Sequence, residues 1–292
     1  MKEQFNKGLL LTSLGSFWWG FIGVLYFQYF SFVGYIELFV HRCFWTAVML
    51  IITTTFFSKW SLFFKIIKNK KKLLWLLISG FLIFTNWGIW IYAVATEKII
   101  DASFGYFIMP IMSVLLGYIF FKEKLNKKRI FSILLVFISI LILTFFNLKS
   151  LPWVGLVVAL SWAFYNFVRK KIKVDTDIGI LVESLYILPV ALIAFYFIVN
   201  TGFNDFSLSN VKLSLFLMIA GPMTVIPLFL HVRGVELIGL GPTGMIFYIT
   251  PTLQFILGYF YYNEDFSFIK FVSFIFIWFA VIIYLKDLYE TN

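Results

Sequence analysis

Two places in the chain put charge where the surrounding residues offer no water. Residues 41–45 read HRCFW, setting His41 and Arg42 inside an apolar run, and Glu183 stands in a second such run as the first residue of ESLYILP. An ionised side chain in a run of that kind is costly unless it meets a partner or a wet cavity, so it commonly marks a site. The guanidinium fork of Arg42 suits an anion. Glu183 suits an amine, or a proton, because a carboxyl held in low dielectric can exist in either form. Each also has a plainer role, bracing its helix to a neighbouring carbonyl or, for the basic pair, to Asn86.

Polar and aromatic groups recur around these charges. NWGIWIYAV puts Asn86 and Trp90 on one helix face at i, i+4 with Trp87 beside them, an aromatic wall with a polar handle. AGPMTVIPLF brings Pro222 and Pro227 to the middle of an apolar run with Thr224 between them, while Pro110 and Pro251 have Tyr106, Tyr248 and Gln254 nearby. Prolines at such positions free carbonyls that can face a cavity, or simply kink a helix for packing. The candidate substrate-binding residues are therefore His41, Arg42, Asn86, Trp87, Trp90, Tyr106, Glu183, Thr224, Tyr248 and Gln254. Pro110, Pro222, Pro227 and Pro251 are candidate hinges, and Glu183 is the candidate proton-coupling group.

The elements that carry these residues must sit in lipid. Of 292 residues, 62% are apolar, 22% aromatic and only 13% charged, against roughly a quarter charged in a soluble domain. About 20 apolar residues cross a bilayer as a helix. Cutting at charge clusters and turn residues gives ten spans: 8–30, 35–57, 73–95, 101–121, 129–146, 152–169, 177–199, 212–232, 238–262 and 267–286. The fold class is an all-α integral membrane protein of ten transmembrane helices. Lys2 and Lys7 before the first run imitate a signal peptide, but the run is too long and lacks a cleavage site, so it reads as a retained span.

Loop charges orient the chain. With both termini cytoplasmic, 19 of the 24 Lys and Arg fall on the inner side, including those of KEKLNKKR and RKKIK, 4 fall outside, and Arg42 is within a span. That asymmetry also accounts for the net charge of +10 through topology and anionic lipid, so nucleic acid is not an expected partner. SFGYFIMPIMSVLLGYIFFKE at 103–123 returns as GMIFYITPTLQFILGYFYYNE at 244–264, 141 positions on, with six identities including Pro110 with Pro251 and Glu123 with Glu264. A two-residue slip aligns Glu97 with Glu236. Five spans per half is odd, so the copies run in opposite directions. The expected architecture is two inverted five-helix repeats, 1–149 and 150–292.

Other function classes find little footing. Cys43 is the lone cysteine, and neither a Cys/His metal pattern nor a nucleotide-binding motif occurs, so no metal, cofactor or ATP-driven cycle is expected. Lipid-modifying enzymes need clustered acids or histidines at a water boundary, whereas the acids here are scattered and only His41 and His231 exist.

In order and spacing, HRCFW, NW at 86–87, ASFGYFIMP, LPW, LSWAFYNFVRKK, ESLYILP, TVIPL, YITPTLQF and FIWFAVIIY resemble the RarD-type branch of the EamA transporters, within the drug/metabolite transporter superfamily. The resemblance runs end to end, with Asp101 in place of the usual Glu and Met109 where Asn is common. It implies inverted five-helix halves around a central cavity, alternating access, and export or exchange of small metabolites. The function expected is a secondary transporter, in the inner membrane, of a small polar or amphipathic metabolite such as an amino acid. A transport-inactive sensor or scaffold is the alternative, with a membrane enzyme behind it. Expected partners are the substrate and membrane lipid, with a homodimer left open.

Overall fold

The computed structural model describes residues 2–95, 99–147, 153–202, 204–261 and 268–291. Among them the chain is nearly all helix, with no strand. That follows from the apolar runs, since backbone N–H and C=O groups in lipid find partners only within a helix or a closed barrel. Helix α1 (Lys2–Phe17) passes through a π turn at Trp18–Ile22 into α2 (Gly23–Tyr29). There follow α3 (Tyr35–Phe56), α4 (Trp60–Ile67), α5 (Lys70–Ala95), α6 (Ile99–Phe121), α7 (Lys127–Asn147), α8 (Trp153–Ile172) and α9 (Thr176–Thr201). The remainder is α10 (Val211–Met218), α11 (Ala220–Ile238), α12 (Leu240–Ile246), α13 (Ile249–Phe260) and α14 (Phe268–Thr291).

The expected apolar runs are helical wherever they fall on described residues. Among the described residues seven helical stretches are long and apolar enough to cross a membrane, with Lys2–Tyr29 and Leu208–Ile238 each taken as one, and Gly105–Phe121 is a shorter apolar helix. Phe56 and Phe145, 79% and 81% exposed, are typical of the large apolar side chains on the outer faces, which lipid solvates and water does not.

Three features depart from the expected elements. The loop 58–72 contains α4, whose Phe63 and Ile66 turn inward while Lys65 and Lys68 stay out, an amphipathic helix at the foot of α5. The eighth and ninth spans are each broken, at Ile219 and at Phe247–Tyr248. The cause is proline placement. A proline ring collides with the carbonyl four residues back. For Pro222 that residue is Met218 and for Pro251 it is Phe247, so each helix ends there and a new one begins with proline in its first turn. Pro110 and Pro227 instead lie inside helices that continue past them.

Helices that the expected repeat would match pack on each other: α3 along α9, α7 along α14, and α6 along α12. Helix α1 lies against α11 as α5 lies against α8. Arg129, counted among the solvated loop charges, is in fact buried. Its Nε lies 2.8 Å from Asp287 Oδ2 and its Nη2 donates to Thr291 Oγ1 at 2.7 Å, tying α7 to α14. Glu97, Glu264 and the expected boundary between the halves lie outside the described residues.

Candidate functional site

Arg42 projects from α3 into a cavity of about 300 Å³. Its Nε donates to Thr224 Oγ1 on α11 at 3.0 Å, and its guanidinium carbon lies 4.4 Å from the ring centre of Trp87 on α5 and 5.3 Å from that of Phe27 on α2. Stacking of this kind holds a guanidinium through the ring quadrupole without neutralising it. Asn86, one residue before Trp87, donates through Nδ2 to Val158 O at 2.9 Å and Ser161 Oγ at 3.1 Å, fixing the α5 wall to α8. Trp90, Tyr106 and Gln254 complete the set of anticipated residues that line the cavity.

The floor is aromatic. Trp19 and Trp162 meet edge to face with ring centres 5.1 Å apart, Phe247 lies 5.8 Å from Trp162, and His231 packs beneath all three. Tyr106 stacks on Phe247 at 6.2 Å, joining wall to floor. Trp19 reaches this position because of the π turn. There Gly20 runs so close to α13 that a Cβ would sit 2.8 Å from Thr250 O. Thr250 Oγ1 in turn donates to Ser16 O at 2.9 Å, satisfying a carbonyl at the start of the irregular turn.

Below the floor the helices close on a buried polar network. Glu183 accepts from Ser79 Oγ at 2.5 Å and Tyr165 OH at 3.1 Å, and its Oε1 lies 3.3 Å from Arg169 Nη1. Arg169 also donates to Thr176 O at 2.9 Å. This corrects the sequence reading of Arg169 as a loop charge. It is 1% exposed, in the last turn of α8, because Glu183 needs a cation there. Nearby, Thr176 Oγ1 donates to Glu236, and Glu123 accepts from Lys170 and from the backbone N–H groups of Leu240 and Gly241 at the start of α12.

The other anticipated residues sit elsewhere. His41, turned away from Arg42 on the same helix, accepts from Trp45 Nε1 at 3.2 Å and lies 3.5 Å from Glu37 Oε1. Glu37 is 2% exposed, because its carboxylate takes the backbone N–H groups of Asp205 and Phe206 at 2.9 and 2.8 Å and pins that loop to α3. Tyr248 donates to Phe107 O at 2.7 Å, a bond between counterparts 141 residues apart. Thr224 acts on the cavity only through Arg42, and none of the four hinge prolines lines it. The sequence reading missed Trp19, Phe27, Trp162 and Phe247. The stripe Trp19, Gly23, Phe27 at i, i+4 carried the available signal.

A model of the EamA-like transporter family matches residues 6–145. Over 290 residues the chain is 34% identical to Protein RarD of Salmonella typhi, covering 99% of this chain and 98% of the relative. It is 33% identical to an uncharacterized transporter of Vibrio cholerae, over 98% of this chain and 94% of that one, and 31% identical to the uncharacterized transporter YojE of Bacillus subtilis, over 96% and 93%. One solved crystal structure superposes with a TM-score of 0.70 at 14% identity, covering 95% of this chain and 96% of that one, a likeness of fold.

Proposed function

The chain belongs to the EamA-like transporter family, in its RarD-type branch of the drug/metabolite transporter superfamily, and from that premise we propose that it is a secondary transporter working by alternating access. Its cargo is a small polar or amphipathic metabolite. The relatives' names point to transport and away from catalysis.

The observation that carries this reading is a change of surroundings over one turn in the middle of α8. Trp162 helps form the floor of an open cavity, while one turn on, Tyr165 bonds to Glu183 inside a buried ion-pair network. In the charge-derived orientation the cavity opens to the outer face and the network seals the cytoplasmic one. The molecule is then an outward-open state, and Glu183 with Arg169 forms its inner latch. The packing of counterpart helices on each other supports two inverted halves, 1–149 and 150–292, related across the α6–α12 contact. A ligand drives exchange only if it interacts differently with the two states. The cavity side chains meet that condition if they separate when the latch opens.

The test is flux. Purified chain in liposomes should move at least one member of a broad metabolite panel by counterflow or under a proton or sodium gradient, above protein-free vesicles. No movement of any solute under any gradient would overturn the transport reading.

A further inference from the structure

Among the described residues Arg42 is the only charged side chain lining the cavity. Among the described residues no carboxylate lies within ion-pair distance of it, and its two terminal nitrogens, unlike Nε, donate to no residue. A withdrawn cation without a counter-ion is costly. Its partners here, Trp87 and Phe27, hold it in place without cancelling its charge. The remaining fork of donors matches the two oxygens of a carboxylate.

The other features restrict what brings that carboxylate. Trp19, Trp90, Tyr106, Trp162 and Phe247 make the walls and floor aromatic, and about 300 Å³ is at the small end of ligand pockets. Among the described residues no acidic side chain lines the cavity: Glu37 and Glu183 are spent on the 205–206 loop and on Arg169. A ligand ammonium would therefore be desolvated without a partner and would face Arg42. A doubly charged phosphate would keep one charge uncompensated.

We propose that the cavity binds an aromatic monocarboxylate, its carboxylate on the fork of Arg42 and its ring against the tryptophan-rich wall, to the exclusion of amines and zwitterions. The proposal rests on the transport reading for its purpose, but on the cavity alone for its chemistry. Thr224 is a positioning residue, orienting the guanidinium from behind.

Four probes of matched size test it on the full chain in detergent: phenylacetate, phenylacetamide, phenethylamine and phenylalanine, titrated by quenching of tryptophan fluorescence. Phenylacetate should bind about tenfold or more tighter than the amide, as expected for a charge-assisted pair, with the amine and the zwitterion weaker still. Arg42→Gln should erase the preference for the anion, Arg42→Lys should keep a reduced preference, and Thr224→Val should weaken phenylacetate severalfold while sparing the amide. Each variant is compared only where its melting matches the wild type. Where Arg42→Gln melts early, Arg42→Lys and Thr224→Val decide. Equal affinity for anion and amide, a preference for amine or zwitterion, no binding of any probe, or selectivity indifferent to Arg42→Lys and Thr224→Val would overturn the proposal. Selective binding without flux in liposomes leaves it standing and removes the transport reading. Flux of cations or zwitterions only does the reverse.

Discussion

Arg169→Met is expected to destabilise the protein by about 3–5 kcal/mol, because it leaves the Glu183 carboxylate buried with only the hydroxyls of Ser79 and Tyr165 for company. Breaking one side of a buried pair costs far more than the pair contributes, since the surviving charge keeps its desolvation penalty. Glu183→Gln should do similar damage from the other side, stranding Arg169, whose Nε already lacks a partner. The double variant Arg169→Met, Glu183→Leu removes both charges and should recover much of the loss. Thermal unfolding in mild detergent, read as a double-mutant cycle, measures this directly. Singles that melt like the wild type would mean that the pair is solvated and that the cytoplasmic end is not sealed there. If the pair forms in only one of two states, its loss also shifts the balance between them by the same free energy.

Gly221→Ala is the second large effect. Gly221 crosses α3 so closely that an added Cβ would collide with the Trp45 carbonyl, and backbone cannot swing aside as a side-chain tip can. Such overpacking typically costs about 1–3 kcal/mol. Close helix approach through small residues is a recurring device in membranes. Here it has a functional consequence, because Thr224 lies one turn further along the same helix and holds Arg42 at 3.0 Å. Spreading α3 from α11 should therefore lower the melting temperature and also weaken anion binding as Thr224→Val does. A variant that melts early yet binds phenylacetate normally would separate helix packing from the placement of Arg42.

Much of this was legible before any coordinates. Length and apolarity define the spans because lipid permits few alternatives, and Arg42, Asn86, Trp87 and Trp90 stand out as polar or belt-type residues at one depth. The rest depends on partners that sequence does not pair. Glu183 reads as a free carboxylate only while Arg169 reads as part of the RKKIK loop cluster. Placing Arg169 one helical turn deeper converts a presumed amine site into an ion pair. The burial of Glu37 is hidden in the sequence for a similar reason, its partners being backbone N–H groups of a loop 168 residues away. The aromatic floor was hidden by abundance, since in a chain that is 22% aromatic no single tryptophan contrasts with its neighbours. The π turn has no proline to announce it. It shows only through Gly20 and the Thr250 bond, both of which involve α13, more than 200 residues away.

The central claim is that the cavity and the latch are opposite ends of one alternating pathway. Reciprocal labelling tests it most directly. With Cys43 replaced by alanine, Ser31→Cys reports the mouth of the cavity and Asn166→Cys the buried region beside Tyr165, each probed with a membrane-impermeant maleimide from its own side of the membrane. In the wild-type background Ser31→Cys should label fast from outside and Asn166→Cys slowly from the cytoplasmic face. Adding Glu183→Gln should speed the second and slow the first. Rates that rise together, or that ignore Glu183→Gln, would contradict the account.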